Sequence, residues 1–580
     1  MAIEIDLSVY PSFKGFDDFV LKMLNEWKTP GLAVAIVKED EVIHAKGYGY
    51  RNVTQELPMT ENTLLAIGSS SKSFTSASVA LLVDRGELNW DTPVRDYIPD
   101  FKLFDPVATE HMTPRDLLCH RSGLPRHDLM WYNTSKSRKE IFDSLQYLEP
   151  NKDFRSYMQY QNLMYLTAGY LVEIITGKKW EKFVEDEIFP GLEMKRSNLS
   201  IDESQKDDDF ALPYDEKDGE IIEIPFRNID TVGPAGSINS SVLEMGNWLS
   251  MHINNGNYGD KQIISEANTK EMHYPQMVIG PGPFTMINGD FKEIGDPTYA
   301  LGWFAQNYRG SKLVHHGGNI DGFSSMMSFY PNEKMGVMVL ANLNSSFARD
   351  VVAWDVLDRI LALEPIDWHS RHKKVKTKLK EASEKGKAHK EEKKVLDTKP
   401  SYPLKAYLGD YKHPGYGIIS ILENKEGLQA VFNNLEFSMK HYHFDVFEMS
   451  YELFEMELKI QFFLDVDGNI SSVSVPLEPN VKNIVFERMP DSQMSDRKFL
   501  VQFAGEYILG DQTVVVVMKG DDALSVSVPN QPEMHLEPFK DLTFKIKDVP
   551  SVSIEFVISE DKVSALKIAQ PGGVFEAKRK

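Results

Sequence analysis

Ser69 and Lys72 are the first residues in this sequence whose types and spacing could do chemistry together. They stand three positions apart at the start of an apolar run, residues 73–84, whose spacing predicts a helix that stops at Gly86. Residues three apart share a helix face, so the lysine can reach the serine. A serine hydroxyl becomes a good nucleophile when a base takes its proton, and a lysine with a lowered pKa can be that base. Because serines also cap helices, a structural role is the alternative.

Tyr160 and Asn162 form a second candidate pair, 91 residues after Ser69 and directly before another apolar segment, residues 163–175. A tyrosine hydroxyl beside a serine and a lysine could accept or relay the proton. Asn162 could hold the lysine through its side-chain oxygen and donate to a substrate carbonyl. The alternative is that Tyr160 is a packing aromatic, one of 23 tyrosines in the chain.

The third candidate segment runs from His315 to Asn319 and contains His316, Gly317 and Gly318. Adjacent glycines let a ligand approach the backbone closely, and a strand edge here would offer backbone N–H groups to an oxyanion. His316 could supply a proton or orient a substrate carboxylate. The spacing fits no usual zinc pattern, and the single cysteine, Cys119, excludes an internal disulfide and a Cys-rich metal site, so we expect no metal and no cofactor.

These segments must be positioned by one large α/β unit, which we expect to cover residues 1–365. A hairpin is predicted near its start (residues 31–37 and 42–45), a strand pair near its end (323–330 and 336–340), and a closing helix after that (351–363). Residues 366–400 hold 12 basic and 6 acidic side chains and read as a charged linker.

Residues 401–580 contain an internal repeat of short alternating runs. Tyr407–Tyr411 is echoed by Phe503–Tyr507, and Val485–Arg488 by Val574–Ala577. The pattern predicts two small antiparallel β-barrels, at 401–492 and 493–580, with one larger interrupted barrel as the alternative.

Composition narrows the classes of function. The 580 residues carry a formal charge of −22, which argues against sequence-independent nucleic-acid binding, since that binding needs a basic surface. No apolar stretch approaches the roughly 20 residues that span a bilayer, and no signal-type segment is visible at the N-terminus. We therefore expect a cytoplasmic protein with no membrane partner, and leave a homo-oligomer open.

Together the three segments resemble the motifs of the penicillin-recognising serine hydrolases (peptidase family S12): S-x-x-K, Y-x-N and K/H-x-G. Residues 112–124 and 233–239 are also similar to stretches of that family, and the resemblance covers about residues 15–363. It implies a β-lactamase-like fold, with an antiparallel sheet flanked by helices and a helical subdomain. It also implies Ser69, Lys72, Tyr160 and His316 as catalytic residues.

The resemblance further implies an acyl-enzyme mechanism, with Asn162, Gly317, Gly318 and Asn319 binding a small-molecule or short-peptide substrate. His316 stands where true β-lactamases usually carry a lysine. This departure and the paired barrels are similar to the D-aminopeptidase members, so an amide or ester hydrolase of that kind is expected. The alternatives are a β-lactamase or DD-carboxypeptidase, and a non-catalytic scaffold that keeps the fold.

Overall fold

The computed structural model describes residues 11–281, 291–391, 394–425, 427–454, 456–466, 468–540 and 542–580. The chain forms two compact units. The first consists of Met1–Lys394 with Glu478–Lys482, and the second of Val395–Leu477 with Asn483–Lys580. The first ten residues, where no signal-type segment was visible, lie outside the described residues.

The first unit is built around an antiparallel sheet to which nine described strands contribute, in the order β10-β11-β12-β13-β14-β15-β1-β2-β3. Strands from the beginning and the end of the first unit's sequence thus lie side by side, because β1 pairs with both β2 and β15. The strands of this unit are β1 (Gly31–Lys38), β2 (Glu41–Asn52), β3 (Leu57–Pro58), β4 (Leu65–Ala66), β5 (Tyr214–Lys217), β6 (Glu220–Glu223), β7 (Asn239–Ser240), β8 (Asn257–Tyr258), β9 (Lys261–Gln262), β10 (Met277–Val278), β11 (Thr298–Tyr299), β12 (Phe304–Tyr308), β13 (Ser311–Ile320), β14 (Phe323–Tyr330) and β15 (Met335–Ala341).

Helices cover both faces of this sheet, which explains why β1 is buried along nearly its whole length. The helices are α1 (Phe16–Glu26), α2 (Lys72–Asp84), α3 (Val94–Tyr97), α4 (Pro106–His111), α5 (Pro114–Leu118), α6 (Arg138–Ser144), α7 (Asn162–Thr176), α8 (Trp180–Glu187), α9 (Ile201–Ser204), α10 (Val242–Ile253), α11 (Glu266–Met272), α12 (Phe347–Ile360) and α13 (Trp368–Glu391). Within the described residues, none of the helices is long and apolar enough to span a membrane.

Side chains of β1 alternate between two packing layers, as the pleat of a strand requires. Leu32, Val34 and Ile36 join the core formed with α1 and α12. On the opposite face Val37 approaches Gly246 of α10, where an added Cβ would lie 3.7 Å from the valine methyl. The arrangement confirms the predicted α/β fold with an antiparallel sheet flanked by helices, and places the predicted hairpin and closing strand pair in one sheet.

The second unit contains two closed antiparallel barrels, each formed from eight strands within the described ranges. The first, barrel 1, uses β16 (Gly409–His413), β17 (Gly417–Asn424), β18 (Gly427–Phe432), β19 (Leu435–His443), β20 (Val446–Tyr451), β21 (Met456–Leu464), β22 (Ile470–Val475) and β23 (Ile484–Arg488). The second, barrel 2, uses β24 (Gly505–Leu509), β25 (Gln512–Lys519), β26 (Ala523–Ser527), β27 (Met534–Lys540), β28 (Thr543–Ile546), β29 (Val549–Ser559), β30 (Lys562–Gln570) and β31 (Gly573–Arg579). Two barrels, rather than one interrupted barrel, confirm the prediction.

The repeat is visible in the contacts that close each barrel. Tyr411 donates its hydroxyl to the carbonyl four residues back, at 3.0 Å, and Tyr507 does the same at 2.7 Å. Arg488 pairs with Tyr411 across the closing strands, and Arg579 pairs with Tyr507. The echo that aligned Arg488 with Ala577 was therefore wrong by two residues, because it matched residue types and not strand register.

A buried carboxylate anchors the segment between α5 and α7 that leads toward the candidate site. Asp116 is fully buried and accepts hydrogen bonds from the Thr113 backbone and hydroxyl, at 2.9 and 2.7 Å, which caps α5. Arg155 donates to both of its oxygens, at 3.0 and 2.7 Å, and Arg121 donates to one. This network joins four residues spread over 43 positions of the chain.

We predict that Asp116→Ala lowers the free energy of unfolding of the first unit by about 3 kcal/mol, because two arginines lose their buried partner. All eight tryptophans lie in this unit, so tryptophan fluorescence during urea denaturation reports its unfolding. Asp143→Ala, which removes the exposed Lys139–Asp143 pair, is the matched control and should cost less than about 1 kcal/mol. Equal effects of the two variants would contradict the anchoring role.

Candidate active site

Ser69 lies in a short 3₁₀ turn, Gly68–Ser71, that continues directly into α2. Of the three consecutive serines, only Ser69 is partly exposed, while Ser70 and Ser71 are fully buried. Ser70 is occupied by a 2.8 Å hydrogen bond with Ser325, and Ser71 accepts from the Ile238 backbone at 3.1 Å. The serine three residues before Lys72 is thus the one that an incoming molecule can reach.

Lys72 is fully buried, and its amine is surrounded by groups from three separate parts of the chain. Nζ lies 3.0 Å from Ser69 Oγ, 2.8 Å from Asn162 Oδ1 and 2.8 Å from the Ala235 carbonyl oxygen. The predicted convergence of the first two segments is therefore present in the structure.

The partners of Lys72 determine where its lone pair points. The Ala235 carbonyl can only accept a hydrogen bond, and so can Asn162 Oδ1. The amide of Asn162 is oriented by its nitrogen, which donates to Asp128 Oδ1 at 3.2 Å. A neutral amine has two N–H donors, and these two acceptors use both. The lone pair is then directed at the Ser69 hydroxyl, as a general base requires.

Electrostatics favours this neutral form of Lys72. Burial, reinforced by the charge of Arg126, holds the pKa of Lys72 well below its usual value, while Asp128 opposes the shift. An ammonium without water needs a partner charge in contact, and the nearest groups here are neutral oxygens. The surroundings of Lys72 thus favour a neutral amine next to Ser69.

Tyr160 completes the group around the serine. Its hydroxyl hydrogen-bonds Ser69, and its ring lies 4.8 Å from Lys72 Nζ. Burial raises the pKa of Tyr160, although the Ser69 hydrogen bond and Arg126 act in the opposite direction. The tyrosine is therefore a protonated phenol at neutral pH, able to donate.

His316 lies beside this group with both ring nitrogens already engaged. Nδ1 is 2.6 Å from the Gly317 carbonyl oxygen, which only accepts, so the imidazole proton is on Nδ1. Nε2 then accepts from the Tyr299 hydroxyl at 2.9 Å. Burial, helped by Lys72, lowers the pKa of His316 to about 3. Its use as a proton donor stays a prediction. In this geometry both ring nitrogens are engaged, so the imidazole is neutral and held in one orientation.

The glycines of the third segment bring β13 against the turn that holds Ser69. A Cβ on Gly318 would lie 1.9 Å from the Ile67 carbonyl oxygen, so only glycine fits there. A Cβ on Gly68, whose φ is +52°, would lie 2.7 Å from the backbone nitrogen of Asn319. The Asn319 side chain is held separately, donating to Asn344 at 2.8 Å and accepting from the Ser345 N–H at 2.7 Å.

Sequence reasoning missed Asp128 and Arg126. Asp128 accepts from Asn162, from the Trp131 indole at 3.0 Å and from Arg126 at 2.5 Å, while Arg126 keeps about half of its side chain exposed. Their loop is held by Glu478, which accepts from the His127 N–H at 2.8 Å. An Arg-x-Asp pattern in a loop carries no signal alone, because its partner Asn162 is 34 residues away.

A metal site finds no support in the described residues: within them no cluster of three or more His, Cys, Asp or Glu side chains is placed to hold an ion.

Residues 16–362 match the beta-lactamase family, and residues 393–488 match a domain of unknown function, DUF3471. The chain belongs to the beta-lactamase family.

Its relatives include the unguisins hydrolase ungD' of Aspergillus campestris, 27% identical over 81% of this chain and 90% of that protein. Protein flp of Staphylococcus aureus is 26% identical over 58% of this chain and 64% of its own length. Among solved structures, the octameric penicillin-binding protein homologue from Pyrococcus abyssi aligns with a TM-score of 0.53 and 22% identity, over 82% of this chain and 99% of that one. The β-lactamase-like domain followed by a C-terminal region is thus an arrangement that the fold comparison supports.

We predict that Gly318→Ala lowers kcat/KM by roughly 100-fold, because the methyl group forces β13 away from the turn that carries Ser69. Gly386→Ala in α13 is the control: its Cβ would meet nothing within 4 Å, and activity should stay within about threefold. Circular dichroism checks that both variants fold. Equal activity of the two variants would contradict the close fit of strand and turn.

Proposed function

We propose that the protein is a serine hydrolase that cleaves amide or ester bonds through an acyl-enzyme on Ser69. The observation that carries the proposal is the 3.0 Å approach of a buried lysine amine, with its two N–H donors occupied, to the one accessible serine of the turn. Membership of the beta-lactamase family and relatives named as hydrolases support the same reaction class.

In the proposed first step, Ser69 Oγ attacks the substrate carbonyl carbon and its proton passes to Lys72 Nζ. The oxyanion that forms accepts hydrogen bonds from the backbone N–H groups of Ser69 and Asn319. When the intermediate collapses, the leaving amine or alcohol takes the phenol proton of Tyr160, and the Lys72 ammonium returns a proton to the tyrosine.

Water resolves the acyl-enzyme by the reverse transfers. A water molecule gives its proton to the same Lys72 and Tyr160 pair and attacks the ester carbonyl. Ser69 then recovers its proton as the acid product departs. Asn162 holds the amine throughout by its oxygen, and its second N–H is available to a substrate carbonyl.

Among substrates, we propose those of a D-aminopeptidase-like peptidase or esterase over β-lactams and D-Ala-D-Ala peptides. The latter carry a carboxylate next to the scissile bond, which calls for a fixed positive charge. His316, at the position where β-lactamases usually have lysine, has a pKa of about 3 and is neutral at physiological pH. This neutrality favours esters and amides without that carboxylate.

A fluorophosphonate probe and a substrate panel test the proposal. We expect one adduct per chain on Ser69 by peptide mass spectrometry, and turnover of D-alanine p-nitroanilide or a short-chain p-nitrophenyl ester above that of nitrocefin. Ser69→Ala should lose adduct and turnover, with kcat/KM falling about 10⁴-fold or more. Ser70→Ala is the control and should keep both. Absence of an adduct would favour the scaffold alternative, and preference for nitrocefin would favour a β-lactamase.

The pH profile tests the role of Lys72. Activity should rise with pH as Lys72 loses its proton, so the acid limb of kcat/KM reports its pKa. Arg126→Gln removes a charge that lowers this pKa and should move the acid limb to higher pH, while Asp128→Asn removes a charge that raises it and should move the limb to lower pH. Shifts in the same direction, or none, would contradict the assignment of Lys72 as base.

A further inference from the structure

Barrel 2 encloses a cavity of about 430 Å³ that is separate from the candidate active site. Its volume falls in the range of roughly 300–1,000 Å³ that small-molecule pockets occupy. Eight-stranded barrels have an interior wide enough either to be filled by side chains or to hold one small ligand. The side chains inside barrel 2 determine whether its interior is filled or can hold a ligand.

Most of the lining residues come from inward-facing positions of the strands, and Val528 and Gln531 come from the loop between β26 and β27, so the cavity is the lumen of the barrel. In β25, Gln512 shares its face with the buried residues Val514 and Val516. In β30, Ile568 and Gln570 share their face with buried Leu566. Because side chains alternate along a strand, these residues point into the barrel and not out to solvent.

One end of the lumen is closed by aromatic rings. Phe503 stacks on Phe556 with centroids 4.5 Å apart, and Phe544 meets Phe556 edge-on at 5.7 Å. Arg579 seals the same end by donating to the carbonyl oxygens of Gln502 and Ala504, at 2.7 and 2.8 Å. The cavity therefore lies toward the other end, where Gln512, Gln531 and Gln570 are exposed.

Barrel 1 carries an aromatic ring at a closing-strand position where barrel 2 has a methyl group. Its Phe486 is buried and lies 6.1 Å from the ring of Phe432 and 6.3 Å from that of Tyr416. The register of the closing strands makes Ala577 the equivalent of Phe486, since each lies two residues before the closing arginine. Exchange of a ring for a methyl group leaves barrel 2 with fewer side-chain atoms at this position.

We propose that the lumen of barrel 2 binds one neutral, mainly aliphatic small molecule or acyl chain, with its polar end at the mouth. The wall is mostly aliphatic, with Val526, Ile546 and Ile554 among its residues and one aromatic ring, Phe575, and the described lining contains no charged side chain. The three glutamines at the mouth supply amide donors and acceptors for a hydroxyl, ester or amide. Burial of an ionised group in such a wall would be costly, so the occupant is uncharged.

Fluorescence titration with the neutral probe N-phenyl-1-naphthylamine tests this proposal on the full-length protein. We expect saturable binding of one probe per chain, displaced by decan-1-ol and at least tenfold less effectively by decanoate. Ile568→Trp, which fills the lumen, and Gln512→Trp, which narrows the exposed mouth, should each weaken probe binding at least tenfold. Val517→Trp, on the outer face of β25, is the matched control and should bind like the parent protein.

Gln512 is exposed, so its variant tests the site even where a tryptophan inside the lumen disturbs folding. Circular dichroism identifies any variant that has lost its strands. Absence of saturable binding, or binding that persists unchanged in Gln512→Trp and a folded Ile568→Trp, would overturn the proposal. Equal displacement by decanol and decanoate would overturn the requirement for a neutral occupant.

Discussion

The burial of a single amine is the constraint on which the rest of the candidate site depends. Lys72 has no exposed surface, and the groups in contact with its Nζ are oxygens of neutral groups. An ammonium ion in that place would lose its hydration without gaining a counter-charge, which costs several kcal/mol. The nearest carboxylate, Asp128, reaches the amine only through the amide of Asn162. The protein therefore stabilises the neutral amine, which is the form that the proposed base role requires.

The scaffold makes this arrangement possible by bringing distant segments within hydrogen-bond distance. The serine and lysine lie at the start of α2, and Asn162 lies at the start of α7. Strand β13 packs against the turn that holds the serine. Contact between β13 and the serine turn requires Gly318, because any Cβ there would meet the Ile67 carbonyl. The same packing excludes water from His316 and Tyr160. It therefore keeps the imidazole of His316 neutral and the phenol of Tyr160 protonated. Position and protonation state thus have a common cause.

Much of this could be predicted from sequence, because the signals are local. Spacing of Ser69 and Lys72 at a helix start, and the apolar periodicity of α2 and α7, depend on neighbours in the chain. The Ala235 carbonyl could not be predicted, since every residue type has a carbonyl and only the fold brings this one to Lys72. The loop with Asp128 is likewise identified by its contact with Asn162 and not by its own composition. The neutrality of His316 could not be predicted from the sequence either, because it follows from burial and the Tyr299 hydrogen bond.

The barrels also contain contacts that the sequence does not reveal, because these contacts are set by strand register. The repetition of Tyr407–Tyr411 as Phe503–Tyr507 is visible in the sequence. The repeat equivalent of Arg488 is Arg579 and not Ala577, because the sequence echo compares residue types and not strand register.

Titration of the Lys72 amine by NMR shows whether Lys72 is neutral in the resting protein. Protein labelled with ¹³C at the lysine ε-carbon reports each amine by its chemical shift, and Lys72→Arg assigns the resonance. We expect a Lys72 midpoint well below the ordinary lysine value of about 10.4. A midpoint at or above the pH of the resting protein would mean that the buried amine is an ammonium ion there, and would contradict its proposed role as the base that activates Ser69.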